Sequence, residues 1–287
     1  MNMLRTAPLA PSAKRAWSTR DIAVAAVRAL CEEAMLTPKP ALVDRRGNGA
    51  HRDMNLPMLL QSALTLRATF EKTARCAATL PLASPLRQRL ARIGMDGERD
   101  MLAATGGVNT HRGAIWSLGL LCAARAALDG THSAEDLCDY ASRIARLPRS
   151  SQATNSHGLA MRDRFGARGA RGEAEDGFPH VHALALPALR ASRARGVAEG
   201  QAQLETLLLL MTCVGDTCLL YRGGEEALHA AQDGARSVLD AGVATAQGKT
   251  ALHVLDRRLV ELGASPGGSA DLLAATLLLD RFVAEDR

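Results

Sequence analysis

The stretch QAQLETLLLLMTCVGDTCLLYRGG, residues 201–224, decides the fold class. Residues 207–211 are apolar on almost every side of a helix, and such a helix is buried all round instead of along one stripe. We therefore expect a central helix wrapped by others. The 3.6-residue period continues outward from there. Residues 21–35 place Ile22, Ala26, Ala29, Leu30 and Ala34 on one face behind Ser18 or Thr19 as N-cap. Residues 56–80, 111–128, 134–147, 201–220, 225–242, 251–262 and 270–283 read the same way. The expectation is an all-α fold, a single large multi-helix domain over residues 18–287 with a buried central helix and Gly-rich ligand loops at helix ends. A disordered basic lead-in over residues 1–17 precedes it.

Composition narrows the function. Among 287 residues only 3% are aromatic, which disfavours sheets that stack nucleic-acid bases and all-β architectures generally. The net charge of +5 is concentrated at the start, where Arg5, Lys14, Arg15 and Arg20 face no acid, so the body is nearly neutral. One local excess of Arg remains between Arg143 and Arg195. A helical module gripping RNA or an acidic partner there is the non-enzymatic reading, and the neutral body argues against it. The six Cys show neither C-x-x-C pairs nor zinc spacing and read as thiols in a reducing, cytoplasmic compartment. No run of about 18 uninterrupted apolar residues occurs, so no membrane span is expected.

Polar, Gly-rich stretches at helix ends carry the functional signal, because helix N-termini and glycines let phosphate approach backbone N–H groups. Residues 37–53 crowd Lys39, Arg45, Arg46, His51 and Arg52 with Asp44 and Asp53, suited to phosphate and Mg²⁺ or to a solvated loop. His111 and Arg112 fall in a first helical turn behind Thr110 as cap, where a cation opposes the helix dipole unless an anion binds. Gly113 would let another helix approach closely. Asp216 interrupts an apolar run and must find a partner: Arg222, Arg171, Mg²⁺ or a ligand. Asp271 follows Gly267 and Gly268 near a helix start. Glu33 and Glu98 read as acids on helix faces. The P-loop and dinucleotide fingerprints are both absent.

Taken in order, TPKPALVDRRGNGAHRDM (37–54), GERDMLAATGGVNTHRGAIWSLGLL (97–121), HG (157–158), GARGEAEDGFP (169–179), DTCLLYRGG (216–224) and SPGGSADLLAATLLL (265–279) resemble the triphosphoribosyl-dephospho-CoA synthase family. Ala41 stands where that family usually carries Gly, Cys218 where Asn is common and Tyr221 where His is frequent. The resemblance implies a transferase that joins ATP to 3′-dephospho-CoA with release of adenine. The product serves the prosthetic group of malonate decarboxylase or, alternatively, citrate lyase, and passes to the transferase that modifies the acyl-carrier subunit. A Mg²⁺-dependent glycohydrolase of ADP-ribose type is the other enzymatic reading. Within the resemblance, Lys39, Arg45, His51, Asn109, His111, Arg112, Arg171, Arg222, Gly267 and Gly268 are expected to bind substrate phosphate. Asp53, Glu98 and Glu173 are the catalytic carboxylates, and Asp216 and Asp271 the Mg²⁺ ligands. No nucleic-acid or membrane partner is implied, and a homodimer is left open.

Overall fold

A computed structural model describes residues 17–148 and 166–284. The lead-in up to residue 16 and the HG pair at 157–158 lie outside the described residues. Within them the chain is helical and no strand forms. In order the helices are α1 (Thr19–Met35), α2 (Leu56–Thr65), α3 (Arg67–Thr79), α4 (Ser84–Ala104), α5 (Arg112–Ala127), α6 (Ala134–Arg146) and α7 (Gly169–Glu175). A π-helical turn (His180–Ala185) leads into α8 (Leu186–Ala194), followed by α9 (Glu199–Cys213), α10 (Thr217–Ala241), α11 (Ala246–Glu261) and α12 (Gly267–Ala284).

The centre is held by two helices, α5 and α12, which pack on each other and are both apolar nearly all round. Leu118, Leu121, Ala123 and Ala124 of α5 and Leu273, Ala275, Leu278 and Leu279 of α12 are sealed from solvent. The small residues let the axes come close. Around this pair, α1 packs on both, α3 and α6 cover α5, and α9 and the π-helical turn cover α12. The most apolar sequence, 207–211, thus lies against the centre on α9, and α12 takes the central place. One apolar core joins nearly all of the helices, with Trp17 set edge-on to Phe282 at 5.0 Å between ring centroids.

Local chemistry sets the boundaries. Ser18 caps α1, its hydroxyl accepting from the backbone N–H of Asp21. The period over 56–80 is split at Leu66 into α2 and α3. The run 201–220 is cut after Cys213: Val214, Gly215 and Asp216 leave the helix, and the Asp216 carboxylate starts α10. A second break inside α10 falls at Gly224, with φ 64°. Thr245 caps α11, so that helix begins five residues ahead of its apolar period. Among the described residues no single helix is long and apolar enough to cross a membrane. Only α9 and α10 taken together pass by length and composition, and they are bent by 64°.

Candidate functional site

Three helix N-termini meet at one place. Asp216 is the knot. Its Oδ1 accepts from the backbone N–H groups of Cys218 (2.9 Å) and Leu219 in the first turn of α10, and from Gly268 N–H (3.2 Å) in the first turn of α12. Its Oδ2 accepts from Ser269 N–H (2.8 Å) and the Ser269 hydroxyl (3.0 Å). One buried carboxylate therefore caps two helices, an anion at two positive helix ends. Burial pushes its carboxyl up while these donors pull it down, and burial is the larger effect. A side chain at residue 268 would stand 2.9 Å from Asp216 Oδ1, so Gly is what lets α12 reach the carboxylate.

The third N-terminus is that of α5. A Cβ at Gly113 would overlap the Asp271 carboxylate, so the sequence GGSAD of α12 and HRG of α5 interlock through a missing methyl group. Asp271 keeps partial solvent contact. Burial, the charge of Glu33 and then that of Asp216 hold its carboxyl well above the usual range. No hydrogen-bond donor reaches it among the described residues.

The loop between α1 and α2 closes over this point. Lys39 is buried, and its ammonium donates to the Glu33 carboxylate (2.6 Å) and the Glu33 carbonyl (2.7 Å). Asp44 accepts from Lys39 N–H (2.9 Å) and from Arg46. Asp256, on α11, accepts from Ala41 N–H at 2.7 Å. Ala41 has φ 53°, the left-handed conformation that glycine adopts freely, and a Cβ at Gly49 would overlap the Ala41 carbonyl. His51 then ties the loop to the site: its Nδ1 accepts from Arg222 (3.3 Å), so its Nε2–H donates to the Ser265 hydroxyl (2.8 Å). Burial first and Arg222 second lower His51 to about 4, against the pull of Asp53 3.8 Å away, so this imidazole is neutral.

His111 is the N-cap of α5, and its ring is buried. Nδ1 lies 2.7 Å from the Ser62 hydroxyl, which is 2.6 Å from the Thr110 hydroxyl, while Nε2 has no partner among the described residues. Burial and then the Lys39 charge lower it to about 4. Thr110 thus faces Ser62 instead of capping α5, and Asn109 accepts from the backbone N–H of Arg112 at 3.2 Å. The Arg112 guanidinium pairs with Glu98 of α4. On the remaining flank, Glu173 of α7 accepts from His180 through both backbone N–H (2.9 Å) and Nδ1–H (2.6 Å). Cys213 and then Glu173 push His180 up to about 10. Arg171 and Arg168 sit on Glu175. Gly169, at the start of α7, rests on Thr217, which places this flank beside the α10 start.

Five chain segments of this kind, interlocked at Gly and Asp, are what the sequence profile of one known family also spans: the ATP:dephospho-CoA triphosphoribosyl transferase profile matches residues 19–287. The chain belongs to that family. It is 54% identical to a probable 2-(5''-triphosphoribosyl)-3'-dephosphocoenzyme-A synthase of Pseudomonas fluorescens, over 91% of each chain. It is 48% identical to the 2-(5''-triphosphoribosyl)-3'-dephosphocoenzyme-A synthase of Klebsiella pneumoniae, over 97% of this chain and 99% of that one. A probable synthase of Azotobacter vinelandii is 52% identical over 90% and 89%. No solved structure matches the chain.

In this triphosphoribosyl transferase the expected residues divide into groups. His111, Arg112, Asn109, Asp271, Asp216, Gly267 and Gly268 line the meeting of helix ends, and His51, Arg222 and Asp53 form its adjoining edge. Lys39 lies beneath, committed to Glu33. Arg45 is exposed in a shallow groove with Glu32, Thr37, Gly200 and Gln203. Glu98 holds Arg112, and Glu173 holds His180. Asp216 meets neither Arg222 nor Arg171: backbone N–H groups satisfy it, because a helix start offers several unpaired donors at once. Those bonds also occupy the Gly268 N–H. Among the described residues no three His, Cys, Asp or Glu side chains stand close enough to enclose a metal ion. Asp216 does not fit as a Mg²⁺ ligand, since donors occupy both oxygens. Asp271 fits as a single carboxylate ligand, the usual share for Mg²⁺ that takes its other ligands from phosphate and water.

Glu33, Ser62, Ser265, Ser269 and His180 were not among the expected residues. Glu33 had a readable signal: it is four residues after Ala29, on the apolar face of α1. The serines had none, because their partners come from far along the chain.

Proposed function

We propose that this family member transfers the 5-triphosphoribosyl group of ATP to the 2′-hydroxyl of 3′-dephospho-CoA and releases adenine. The electron pair of the bond between the anomeric carbon and adenine leaves with the base. The hydroxyl oxygen takes its place, and the hydroxyl proton is the one adenine gains overall. The observation that carries the reading is the carboxyl group of Asp271, reached by no donor among the described residues, partly open to solvent and set against the first turn of α5 among three helix starts. Such a group serves a Mg²⁺–polyphosphate or a cationic anomeric carbon equally well.

Residue roles follow from the surroundings. Arg112, Arg222 and Arg171, each with solvent access, meet the triphosphate. Mg²⁺, held by Asp271, would neutralise charge on the phosphates. Asp53, exposed 3.8 Å from His51, is the carboxylate we assign as the base that takes the proton of the attacking hydroxyl. Glu98 orients Arg112 and Glu173 orients His180. The product goes to the enzyme that loads the acyl-carrier subunit of malonate decarboxylase, in the cytoplasm, where the free thiols of this chain are kept reduced.

The test is incubation with Mg²⁺, ATP and 3′-dephospho-CoA, with adenine and the CoA-derived mass followed by chromatography and mass spectrometry. Adenine matched by a triphosphoribosyl adduct is expected. Adenine without the adduct makes the protein a hydrolase, and no adenine from folded protein refutes the reading. Transfer of the product onto a malonate decarboxylase carrier but not a citrate lyase carrier, each with its own loading enzyme, tests the pathway assignment.

A further inference from the structure

His111 is a conflict between charge and placement. Its ring is 4% exposed, its backbone N–H donates to Met101 Sδ at 3.2 Å, and its neighbours Ala114 and Ile115 are sealed in the core. The cations of the site are elsewhere: Arg112 and Arg222 have solvent access, and the ammonium of Lys39 is committed to Glu33. Depth and charge therefore run in opposite directions, with guanidinium groups at the edge and an uncharged imidazole inside.

The hydroxyl pair beside it favours one nitrogen as the carrier of the proton. If Thr110 donates to Ser62 and Ser62 donates to His111 Nδ1, both hydroxyl hydrogens are used. In the opposite direction the Thr110 hydrogen finds no acceptor among the described residues and turns out to solvent. The favoured arrangement places the ring proton on Nε2, the buried atom that has no partner among the described residues. A buried N–H left unmade costs about 1–3 kcal/mol, and an acceptor arriving with a ligand recovers it. Nε2 is on the ring edge away from Ser62.

We propose that His111 is the donor to the purine of ATP: its Nε2–H meets an unprotonated ring nitrogen, N3 or N7, so that the nucleotide enters base first and leaves its triphosphate at the Arg112–Arg222 edge. This rests on the transferase reading above and assigns a direction to the substrate. An uncharged purine nitrogen gives up little hydration on entering a buried place, whereas a phosphate oxygen would carry its charge there, away from the guanidinium groups at the edge. The chemical benefit is at the leaving group. As the bond to the anomeric carbon breaks, its electron pair moves onto adenine, and a fixed N–H strengthens its hydrogen bond as that charge grows. His111 keeps its own proton throughout.

Binding and turnover separate this inference from the reading beneath it. Calorimetry would compare ATP, 3-deaza-ATP, 7-deaza-ATP and inorganic tripolyphosphate on the unaltered chain and on His111→Phe, which keeps a flat ring without a donor. We expect one of the two deaza nucleotides to bind the unaltered chain about 3- to 10-fold more weakly than ATP, the loss of one hydrogen bond. In His111→Phe that difference should vanish and tripolyphosphate affinity should stay within about twofold, while kcat for adenine release falls about 100-fold or more. No penalty for either deaza nucleotide on the unaltered chain, a penalty that persists in His111→Phe, or a loss of tripolyphosphate affinity would each overturn the inference. Should His111→Phe not fold, Ser62→Ala, which releases the ring, is expected to shrink the same deaza penalty, and an unchanged penalty would count against it. Absence of adenine from the unaltered enzyme refutes the transferase reading but leaves the binding comparison to decide the role of His111.

Discussion

Replacing Asp216 by Ala removes the acceptor for four backbone N–H groups and one hydroxyl, shared between the starts of α10 and α12. An N-cap is worth about 0.5–2 kcal/mol, and here one carboxylate caps two helices in a sealed place, so the loss should be about 2–4 kcal/mol. At about 2–4 °C per kcal/mol for a chain of this size, Tm drops by about 4–16 °C. Asp216→Asn is the sharper variant. Its amide oxygen can keep the Cys218 and Gly268 bonds, but its NH2 then faces Ser269 N–H, donor against donor. It should lose about 1–3 kcal/mol even though the charge it removes was costly to bury. Urea unfolding followed by circular dichroism, with and without 10 mM Mg²⁺, measures both. The reasoning fails if Asp216→Asn unfolds at the midpoint of the unaltered chain while losing ATP turnover, because such an outcome belongs to a metal ligand and not to a double cap.

Lys39→Met leaves Glu33 charged in a buried site and should cost about 3–5 kcal/mol in urea unfolding, while Lys39→Met with Glu33→Gln should recover much of that loss. Acidification should destabilise the protein through His111. The unfolded ring takes a proton below about 6.5 and the folded ring only below about 4, so stability is lost as pH falls through that window, by roughly 3 kcal/mol at its lower end. His111→Phe should flatten that part of the stability profile in pH-dependent unfolding. Gly49→Ala forces a Cβ into the Ala41 carbonyl at a left-handed position. It should cost more than about 2 kcal/mol in unfolding and raise KM for ATP by displacing His51.

The fold was legible where one face or all faces of a helix are apolar, as in α1, α5, α6 and α12. Helix α4 escaped because Gly94, Gly97 and a charged surface blur its period. Gly97 is there for α3, since a Cβ would meet Thr69 at 2.5 Å. The site's segments were legible as Gly-rich helix ends, but the roles of its charges were not. His111 and Lys39 read as cations for phosphate, yet one is neutral and the other paired with Glu33, because burial depends on which distant helix covers a residue. Asp216 read as a carboxylate needing a cation. The donors it found are backbone groups, which every helix start supplies whatever its sequence.

The central place of α12 also bears on how the protein is made. Residues 33–53, 111–113 and 216–222 emerge from the ribosome long before Gly267, and until α12 follows they have neither the Asp271 that fits Gly113 nor the N–H groups that complete Asp216. Without α12 the helices α1, α5 and α9 lack the element that packs against all three. Completion of the site therefore waits for α12, so a chain stopped before residue 267 holds most of the expected phosphate-binding residues and no assembled site.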